Sequence, residues 1–252
     1  MTAHPDHDIP RKVAAGQGLQ WVNQGFALYR NNPLLLSAAF GALFGLVAAA
    51  NLIPVVGEAV SDLASPLMVA GFMAAFRTLD RKQPLLWTHF LAGVQGPWLA
   101  LMTVGAVQLL GMLVIAQVML GMGFDAEAVM AAAQQGDPHV MQNAMNQSMP
   151  AVLTGMLLFT PLIMATWFAP ALILFGNARP AQALAISFKA VVRNWLAITV
   201  NGLALGVVLF VAALVPFLLG LLVAMPVLFG SLYAAYQGIF AVWAEETPEV
   251  VG

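Results

Sequence analysis

Four long stretches of the sequence contain no charged residue. They cover residues 31–57, 83–124, 138–178 and 194–244, and each is longer than the roughly 20 apolar residues that a helix needs to cross a bilayer. Charged residues make up 8% of the chain and hydrophobic residues 61%, whereas a soluble domain carries about 25% charged residues. The pattern predicts an all-α, polytopic membrane protein and nearly excludes a soluble enzyme.

Proline and glycine divide these stretches into six predicted membrane spans, roughly 33–50, 62–79, 97–121, 150–175, 195–215 and 225–244. No charge separates the last two spans, which predicts a tight, shallow turn between them. Pro161 and Pro170 each remove a backbone donor from the fourth span and predict kinks there. We expect a six-span membrane domain over residues 16–244, a disordered tail over 1–15 and a short tail over 245–252.

The basic residues predict how the chain is threaded. All 9 fall in the N-terminal segment or in the connections after the second and fourth spans, and the connections on the other side carry acidic residues only. Lysine and arginine favour the cytoplasmic side of a bilayer, so both termini are predicted to be cytoplasmic. The first apolar run, from Pro33, lacks the pattern of a cleaved signal peptide and is expected to be retained.

Three segments that precede a span have the mixed character of interfacial helices. Residues 18–30 and 180–195 place apolar side chains at helical spacing opposite polar ones, and residues 84–98 are a weaker case because Gly93 and Gly96 interrupt them. A tryptophan in each segment is a predicted headgroup anchor: Trp21, Trp98 and Trp195. The alternative is that these helices pack under the spans and have no role in lipid contact.

Short sequence matches predict a threefold internal repeat. Trp98-Leu99-Ala100 and Trp195-Leu196-Ala197 open two spans alike, and a Pro-led apolar segment recurs at Pro66, Pro161 and Pro226. We interpret residues 16–82, 83–178 and 179–244 as three pseudo-repeats, each an interfacial helix followed by a helical hairpin.

Short motifs in two parts of the sequence carry a resemblance to a known family. They are Ala183-Leu184, Ser187-Phe188 and Asn194-Trp195, and the segment from Trp21 to Pro33. These motifs look like those of an uncharacterised family of bacterial six-span inner-membrane proteins. That family is similar to the membrane domain fused to some glycerophosphodiester phosphodiesterases. The resemblance covers nearly the whole chain and implies a multi-pass protein of the bacterial cytoplasmic membrane. It carries over no catalytic residue.

The sequence contains no recognisable catalytic equipment. It has no Cys, no phosphate-binding loop, no H-E-x-x-H zinc motif and no nucleophile elbow. We therefore predict no enzymatic activity, no catalytic residue and no cofactor. A net charge of -2 without a basic tract argues against nucleic acid as a partner.

The outer loop over residues 124–149 holds the weak candidates for a metal site. They are His139, Met141, Met145 and Met149: on a helix the three methionines would share one stripe beside His139, and thioethers favour Cu(I). The favoured alternative is that the methionines form the apolar face of a lid helix.

Polar residues inside the spans are few, and two interpretations of them stay open. Asp62, Gln108 and Asn201 are candidates for a transport path, because polar groups at membrane depth are costly and often functional. The favoured alternative places Asp62 at the outer headgroups and makes Gln108 and Asn201 hydrogen-bond partners between helices. Two glycine pairs predict close helix crossings: Gly41 with Gly45, and Gly202 with Gly206.

The sequence thus favours a membrane-organising role, through contacts with membrane lipids, a second copy of the chain or another membrane protein. The alternative is a transporter or channel for a small solute or ion, including a soft metal delivered through the methionine-containing loop. Transport needs a polar-lined cavity that joins Asp62, Gln108 or Asn201 to both faces, whereas a scaffold needs these helices to be packed dry.

Overall fold

The computed structural model describes residues 10–53 and 56–240. Within these ranges the chain forms eleven α-helices and no strand. Two 3₁₀ segments, Trp87–Leu91 and Pro216–Leu218, lie between α-helices. The α-helices are α1 Gln17–Tyr29, α2 Pro33–Ala50, α3 Val56–Asp80, α4 Ala92–Gln95, α5 Trp98–Gly121, α6 Ala126–Gln135, α7 Pro138–Thr166, α8 Ala169–Gly176, α9 Pro180–Arg193, α10 Trp195–Ala213 and α11 Leu221–Ile239.

Six helical segments of the described chain are long and apolar enough to cross a membrane, which confirms the predicted all-α polytopic fold. They are Pro33–Ala50, Gly57–Asp80, Trp98–Gly121, Pro138–Gly176, Trp195–Ala213 and Leu221–Ile239. The fourth begins earlier than predicted, because α7 continues through much of the expected outer loop. At 1.5 Å per residue, the 29 residues of α7 extend about 43 Å. The start of α7 therefore projects beyond a hydrocarbon core of about 30 Å.

The six spans form an inner and an outer layer. Within their most apolar windows, 39% of α3, 39% of α7–α8 and 61% of α11 are buried inside the protein, against 17% of α2, 22% of α5 and 17% of α10. The inner helices are thus the second member of each helical hairpin. The outer helices leave their leucine and valine side chains for lipid, which is as apolar as the protein interior.

Aromatic side chains join the three inner helices. Phe72 of α3 stacks on Phe229 of α11 with ring centroids 4.5 Å apart, and Phe175 of α8 contacts Tyr236 of α11 at 5.6 Å. Phe168 and Phe240 meet edge to face at 5.7 Å. All six rings are buried. We refer to them as the aromatic layer.

Helix α1 is embedded in the bundle along one face. Gly18, Trp21, Gly25 and Tyr29 are buried, at a spacing that forms one stripe of a helix. A Cβ on Gly25 would lie 2.4 Å from the backbone nitrogen of Ser231 in α11, so only glycine permits this crossing. Trp21 is 1% exposed and lies against Gly238. Trp21 is therefore a core residue, and its prediction as a headgroup anchor is corrected.

Hydrogen bonds attach the segment that precedes α1 to the junction of α9 and α10 and to the end of α11. The Asn194 side chain accepts a hydrogen bond from the Val13 backbone N–H at 2.8 Å and donates one to the Arg11 carbonyl at 2.9 Å. The Arg11 backbone N–H also donates to the carbonyl of Ile239. Part of the predicted disordered tail is thus held in place. Residues 1–9 and 241–252, which include the predicted tail over 245–252, lie outside the described residues.

The middle interfacial segment differs from the other two. Instead of one helix over 84–98, the chain forms the 3₁₀ segment Trp87–Leu91 and the single turn of α4, and it ends at Gly96. Gly93 explains part of the difference, because a Cβ there would lie 2.4 Å from the carbonyl oxygen of Leu67 in α3. The backbone here is shaped by its approach to α3 more than by helix propensity.

The fourth span is interrupted between α7 and α8, just before Pro170. Ser187 of α9 stabilises the interruption, because its hydroxyl accepts a hydrogen bond from the Phe168 backbone N–H at 3.0 Å and donates one to the Met164 carbonyl at 2.8 Å. Pro161 lies inside the continuous helix α7. Only the second of the two prolines therefore coincides with a break.

Each interfacial segment packs on an inner helix of a different hairpin. Helix α1 contacts α11, the segment containing α4 contacts α3, and α9 contacts α7 and α8. The interfacial segment of each predicted repeat therefore contacts the inner helix of the preceding repeat, and that of the first repeat contacts the inner helix of the third. The threefold repeat in the sequence itself stays a prediction.

Candidate functional site: the basic end and a central cavity

One end of the bundle collects the basic residues of the connections, and we call it the basic end. It contains α1, α9 and the ends of α3 and α8 that are followed by Arg81, Lys82 and Arg179. Hydrogen bonds from Gln237 of α11 to Asp80 of α3, and from Arg11 to Ile239, show that these segments meet. The basic end corresponds to the side that the charge pattern predicts to be cytoplasmic.

Helix α9 presents two adjacent exposed stripes at the basic end. Phe188 and Val192 are 38% and 48% exposed and lie at helical spacing on one stripe, and Trp195, the first residue of α10, is 57% exposed just beyond the end of α9. Lys189 and Arg193 are exposed on the neighbouring stripe. The opposite face is buried against α7 and α8. An apolar stripe beside cationic side chains is the arrangement by which a helix lies in the headgroup region of a bilayer.

Helix α1 repeats part of this arrangement. Its exposed apolar residues, Leu19 and Phe26, flank the partly buried Val22, while Gln20 and Arg30 are exposed to one side. Trp98, the remaining predicted anchor with Trp195, is also exposed and begins α5 at the same end. Headgroup anchoring by Trp98 and Trp195 stays a prediction, and their exposure supports it.

A polar network that the sequence reasoning missed links α3 and α11 at the basic end. The Asp80 carboxylate accepts hydrogen bonds from the Tyr233 hydroxyl at 3.0 Å and from the Gln237 amide at 2.9 Å. The Arg77 guanidinium lies over the Phe175 ring, 4.6 Å from its centroid, and attracts its π face. Arg77 and Asp80 are three residues apart on one helix, a spacing that signals a shared face, but their partners on α8 and α11 have no local signature.

A cavity of about 250 Å³ lies at mid-depth between the inner helices and α5. Helix α3 contributes Ser65 and Pro66, α5 contributes Gln108, the interruption between α7 and α8 contributes Trp167, α8 contributes Pro170, and α11 contributes Phe229. Among the described residues, most of the lining is apolar and no charged side chain is part of it. The cavity is partly open, and the aromatic layer lies between it and the basic end, since Phe72, Phe175 and Tyr236 follow the lining residues along their helices.

The three predicted path residues do not share this cavity. Gln108 lines it, and Asp62 and Asn201 do not. Asp62 is half-buried near the opposite end of α3, where its backbone carbonyl accepts a hydrogen bond from the Ser65 hydroxyl at 3.1 Å. That bond compensates for the donor that Pro66 lacks.

Asn201 is packed between helices. It is 5% exposed, and its amide donates hydrogen bonds to the Ser231 hydroxyl at 2.6 Å and to the Gly18 carbonyl at 3.1 Å. These contacts fit the interpretation of Asn201 as a partner between helices rather than as a residue that lines a water-filled path.

The predicted glycine crossings do not occur within the described part of the chain. A Cβ on Gly45, Gly202 or Gly206 would meet nothing within 4 Å there, and one on Gly41 would touch only the Leu222 side chain at 3.4 Å. Close approaches occur instead at other glycines, among them Gly18, Gly25 and Gly230. Contact of the two predicted pairs with a second copy of the chain stays a prediction.

The methionine stripe lies on the projecting first part of α7. Met145 and Met149 are exposed, Met141 is half-buried, and His139, two residues before Met141, is exposed. The three methionines thus belong to a span helix rather than to a separate lid helix. Soft-metal binding at this stripe stays a prediction.

Comparison with known proteins places the chain in a family. It is 32% identical to a probable inner membrane protein from Burkholderia thailandensis, across 95% of this chain and 96% of that protein. The chain belongs to that family. No protein-family model matches the sequence and no solved structure matches the fold. The relationship and the six apolar helices identify a multi-pass inner-membrane protein.

Proposed function

We propose that this protein binds anionic lipids at its basic end and thereby organises the membrane around it. The observation that carries the proposal is the surface formed by α9 and the start of α10, where Phe188, Val192 and Trp195 are exposed beside Lys189 and Arg193. In this arrangement the apolar stripe inserts among the acyl chains, and the two cations reach the phosphates above it.

The rigid attachment of α9 supports the same role. Its inner face is buried against the interruption between α7 and α8, through Ala183, Ser187 and Ala190. The helix is therefore held in one orientation and does not need to fold on the bilayer, which would cost conformational entropy. Lipid bound on α9 would be positioned relative to the inner helices.

The predicted orientation of the chain, with the basic end on the cytoplasmic side, also supports this proposal. The cytoplasmic leaflet carries the negative surface potential, to which each nearby Lys or Arg contributes about 1 kcal/mol of attraction. All 9 basic residues of the chain lie in segments assigned to that side by the positive-inside rule. The likeness to a membrane domain fused to some glycerophosphodiester phosphodiesterases stays a prediction.

Lipid retention tests the proposal directly. The protein would be placed in nanodiscs of mixed phosphatidylglycerol and phosphatidylethanolamine, and the bound lipid would be measured by native mass spectrometry. We expect the Lys189→Gln/Arg193→Gln variant to lose about 2 kcal/mol of affinity for phosphatidylglycerol, or roughly thirtyfold. The charge-preserving variant Lys189→Arg/Arg193→Lys serves as the control and should retain that lipid. Unchanged retention in the glutamine variant would overturn the proposal.

A second candidate is transport of a small solute or ion. The cavity beside Gln108 and the interrupted fourth span support it, because broken helices often surround transport sites. Against it stand the aromatic layer next to the cavity and the packed position of Asn201. Flux across liposomes that contain the protein, and its loss in Asp62→Asn, would favour this candidate.

A further inference from the structure

The central cavity combines an apolar lining with one unsatisfied polar side chain. Gln108 of α5 lines a space otherwise formed mainly by Val, Leu, Ile, Phe, Trp and Pro side chains. Within residues 10–53 and 56–240, its carboxamide makes no hydrogen bond. An amide has two donor hydrogens and an acceptor oxygen, so these groups are available to a molecule in this space.

We propose that this cavity binds a small, uncharged, mostly apolar molecule with one hydroxyl or carbonyl group, which hydrogen-bonds to Gln108. The site is separate from the lipid-binding surface of α9 and does not depend on it. Ser65 also lines the cavity and donates its own hydrogen to the Asp62 carbonyl. The Ser65 oxygen is then an acceptor for a ligand hydroxyl, while the Gln108 amide supplies donors.

The lining and the volume define the class of ligand. No charged residue in the described part of the chain lines the cavity, and a charge at this depth would be costly without a partner. The volume of about 250 Å³ equals the share of roughly eight liquid water molecules and lies just below the range of ordinary ligand pockets. A medium-chain alcohol fits these limits, whereas a complete phospholipid exceeds them.

Two prolines line the cavity. Pro66 lies inside the continuous helix α3, and Pro170 follows the interruption between α7 and α8; each ring removes a backbone donor and crowds the preceding turn. A hydroxyl bonds to the backbone near each proline, through Ser65 to the Asp62 carbonyl and through Ser187 to the Phe168 N–H and the Met164 carbonyl. The polar groups available to a ligand in the cavity therefore include the Gln108 amide and the Ser65 oxygen.

The aromatic layer makes the cavity a blind site. Phe229 lines it and stacks on Phe72, which is fully buried. Farther toward the basic end, the rings of Phe175 and Tyr236 contact each other. These two pairs of packed rings in the aromatic layer separate a molecule in the cavity from the basic end, which suits binding better than transport.

Photolabelling tests the proposal in the full-length protein in lipid nanodiscs. The probes are an octanol that carries a diazirine and the matching alkane diazirine, and labelled residues are mapped by mass spectrometry. We expect the alcohol to label residues 65–69, 104–108, 163–170 or 228–232, and an excess of plain octanol to suppress this labelling. The alkane should label them about tenfold less, which corresponds to one hydrogen bond of about 1.4 kcal/mol.

Three variants make the test specific. Gln108→Leu should abolish the preference for the alcohol, and Val69→Phe, which fills the cavity, should abolish the suppressible labelling by both probes. Gln117→Leu is the matched control, because Gln117 lies on the same helix outside this cavity, and it should behave as the wild type. Each variant is first shown to unfold at the wild-type temperature, so that lost labelling reports binding.

The proposal is overturned by labelling that octanol does not suppress, by equal labelling with the two probes, or by an unchanged preference in Gln108→Leu. These outcomes are independent of the lipid test, because Lys189→Gln/Arg193→Gln leaves the cavity lining intact. Failure of one proposal is thus distinguishable from failure of the other.

Discussion

The Asn201 amide of α10 donates a hydrogen bond to the Ser231 hydroxyl of α11 over a distance of 2.6 Å. The same amide reaches the Gly18 carbonyl of α1 at 3.1 Å. One side chain therefore joins an outer helix, an inner helix and an interfacial helix. Within a membrane, where packing and hydrogen bonds replace the hydrophobic effect between helices, such a junction fixes the position of α1.

Replacing Asn201 by Leu should lower the free energy of unfolding by about 1–2 kcal/mol, since hydrogen bonds between membrane helices contribute about 0.6 kcal/mol on average and at most about 1.7 kcal/mol. Unfolding in bicelles, followed by steric trapping, measures the loss. Thr199→Val, at an exposed position of the same helix, is the control. Ser231→Ala should add little to Asn201→Leu, because the two variants remove one shared bond. A fully additive double variant would contradict the coupling.

Replacing Gly25 by Ala should prevent α1 from packing against α11. The new Cβ would lie 2.4 Å from the Ser231 nitrogen and 2.7 Å from the Gly230 carbonyl carbon, and both are backbone atoms that cannot move aside. We expect a lower melting temperature in nanodiscs and a loss of monodisperse protein. Gly202→Ala should be neutral or slightly stabilising, because nothing lies within 4 Å of its Cβ and Ala is the better helix former. Equal melting temperatures for the two variants would refute the assigned crossing.

Replacing Ser187 by Ala should destabilise the junction of α7 and α8. The Phe168 N–H loses its acceptor and the Met164 carbonyl loses a donor, at a cost of about 1–3 kcal/mol for buried groups left unpaired. Hydrogen exchange should rise at residues 167–172 before it rises elsewhere. Thr160→Val is the control, because its hydroxyl bonds only to the Met156 carbonyl of its own helix. If exchange at 167–172 stays at the wild-type rate, Ser187 does not support the break.

The number and approximate positions of the spans were predictable because they depend on local apolar length. All six predicted spans correspond to observed ones, and the interruption before Pro170 follows from the missing backbone donor. The charge pattern likewise marked the basic end. These features are encoded within short windows of sequence.

Contacts between distant segments were not predictable from those windows. Gly25 packs against Gly230, and the residues next to each glycine do not indicate that the two are in contact. Gly202 and Gly206 carry the more familiar motif, yet they lie in open space within the chain. Trp21 looks like a headgroup anchor by its position, but the buried stripe of α1 includes it. The central cavity also arises only when helices from three hairpins converge.

Recruitment of anionic cytoplasmic lipids requires that the basic end face the cytoplasm, and the absence of native Cys makes this orientation directly measurable. Single cysteines would be introduced as Thr88→Cys, in the connection after α3, and Gln135→Cys, at the end of α6; both positions are exposed. Intact cells would be treated with a membrane-impermeant maleimide. We predict labelling of the cysteine at position 135 in intact cells, and of the one at position 88 only after the inner membrane is permeabilised. The reverse pattern, or labelling of both in intact cells, would contradict the orientation and the lipid-binding function built on it.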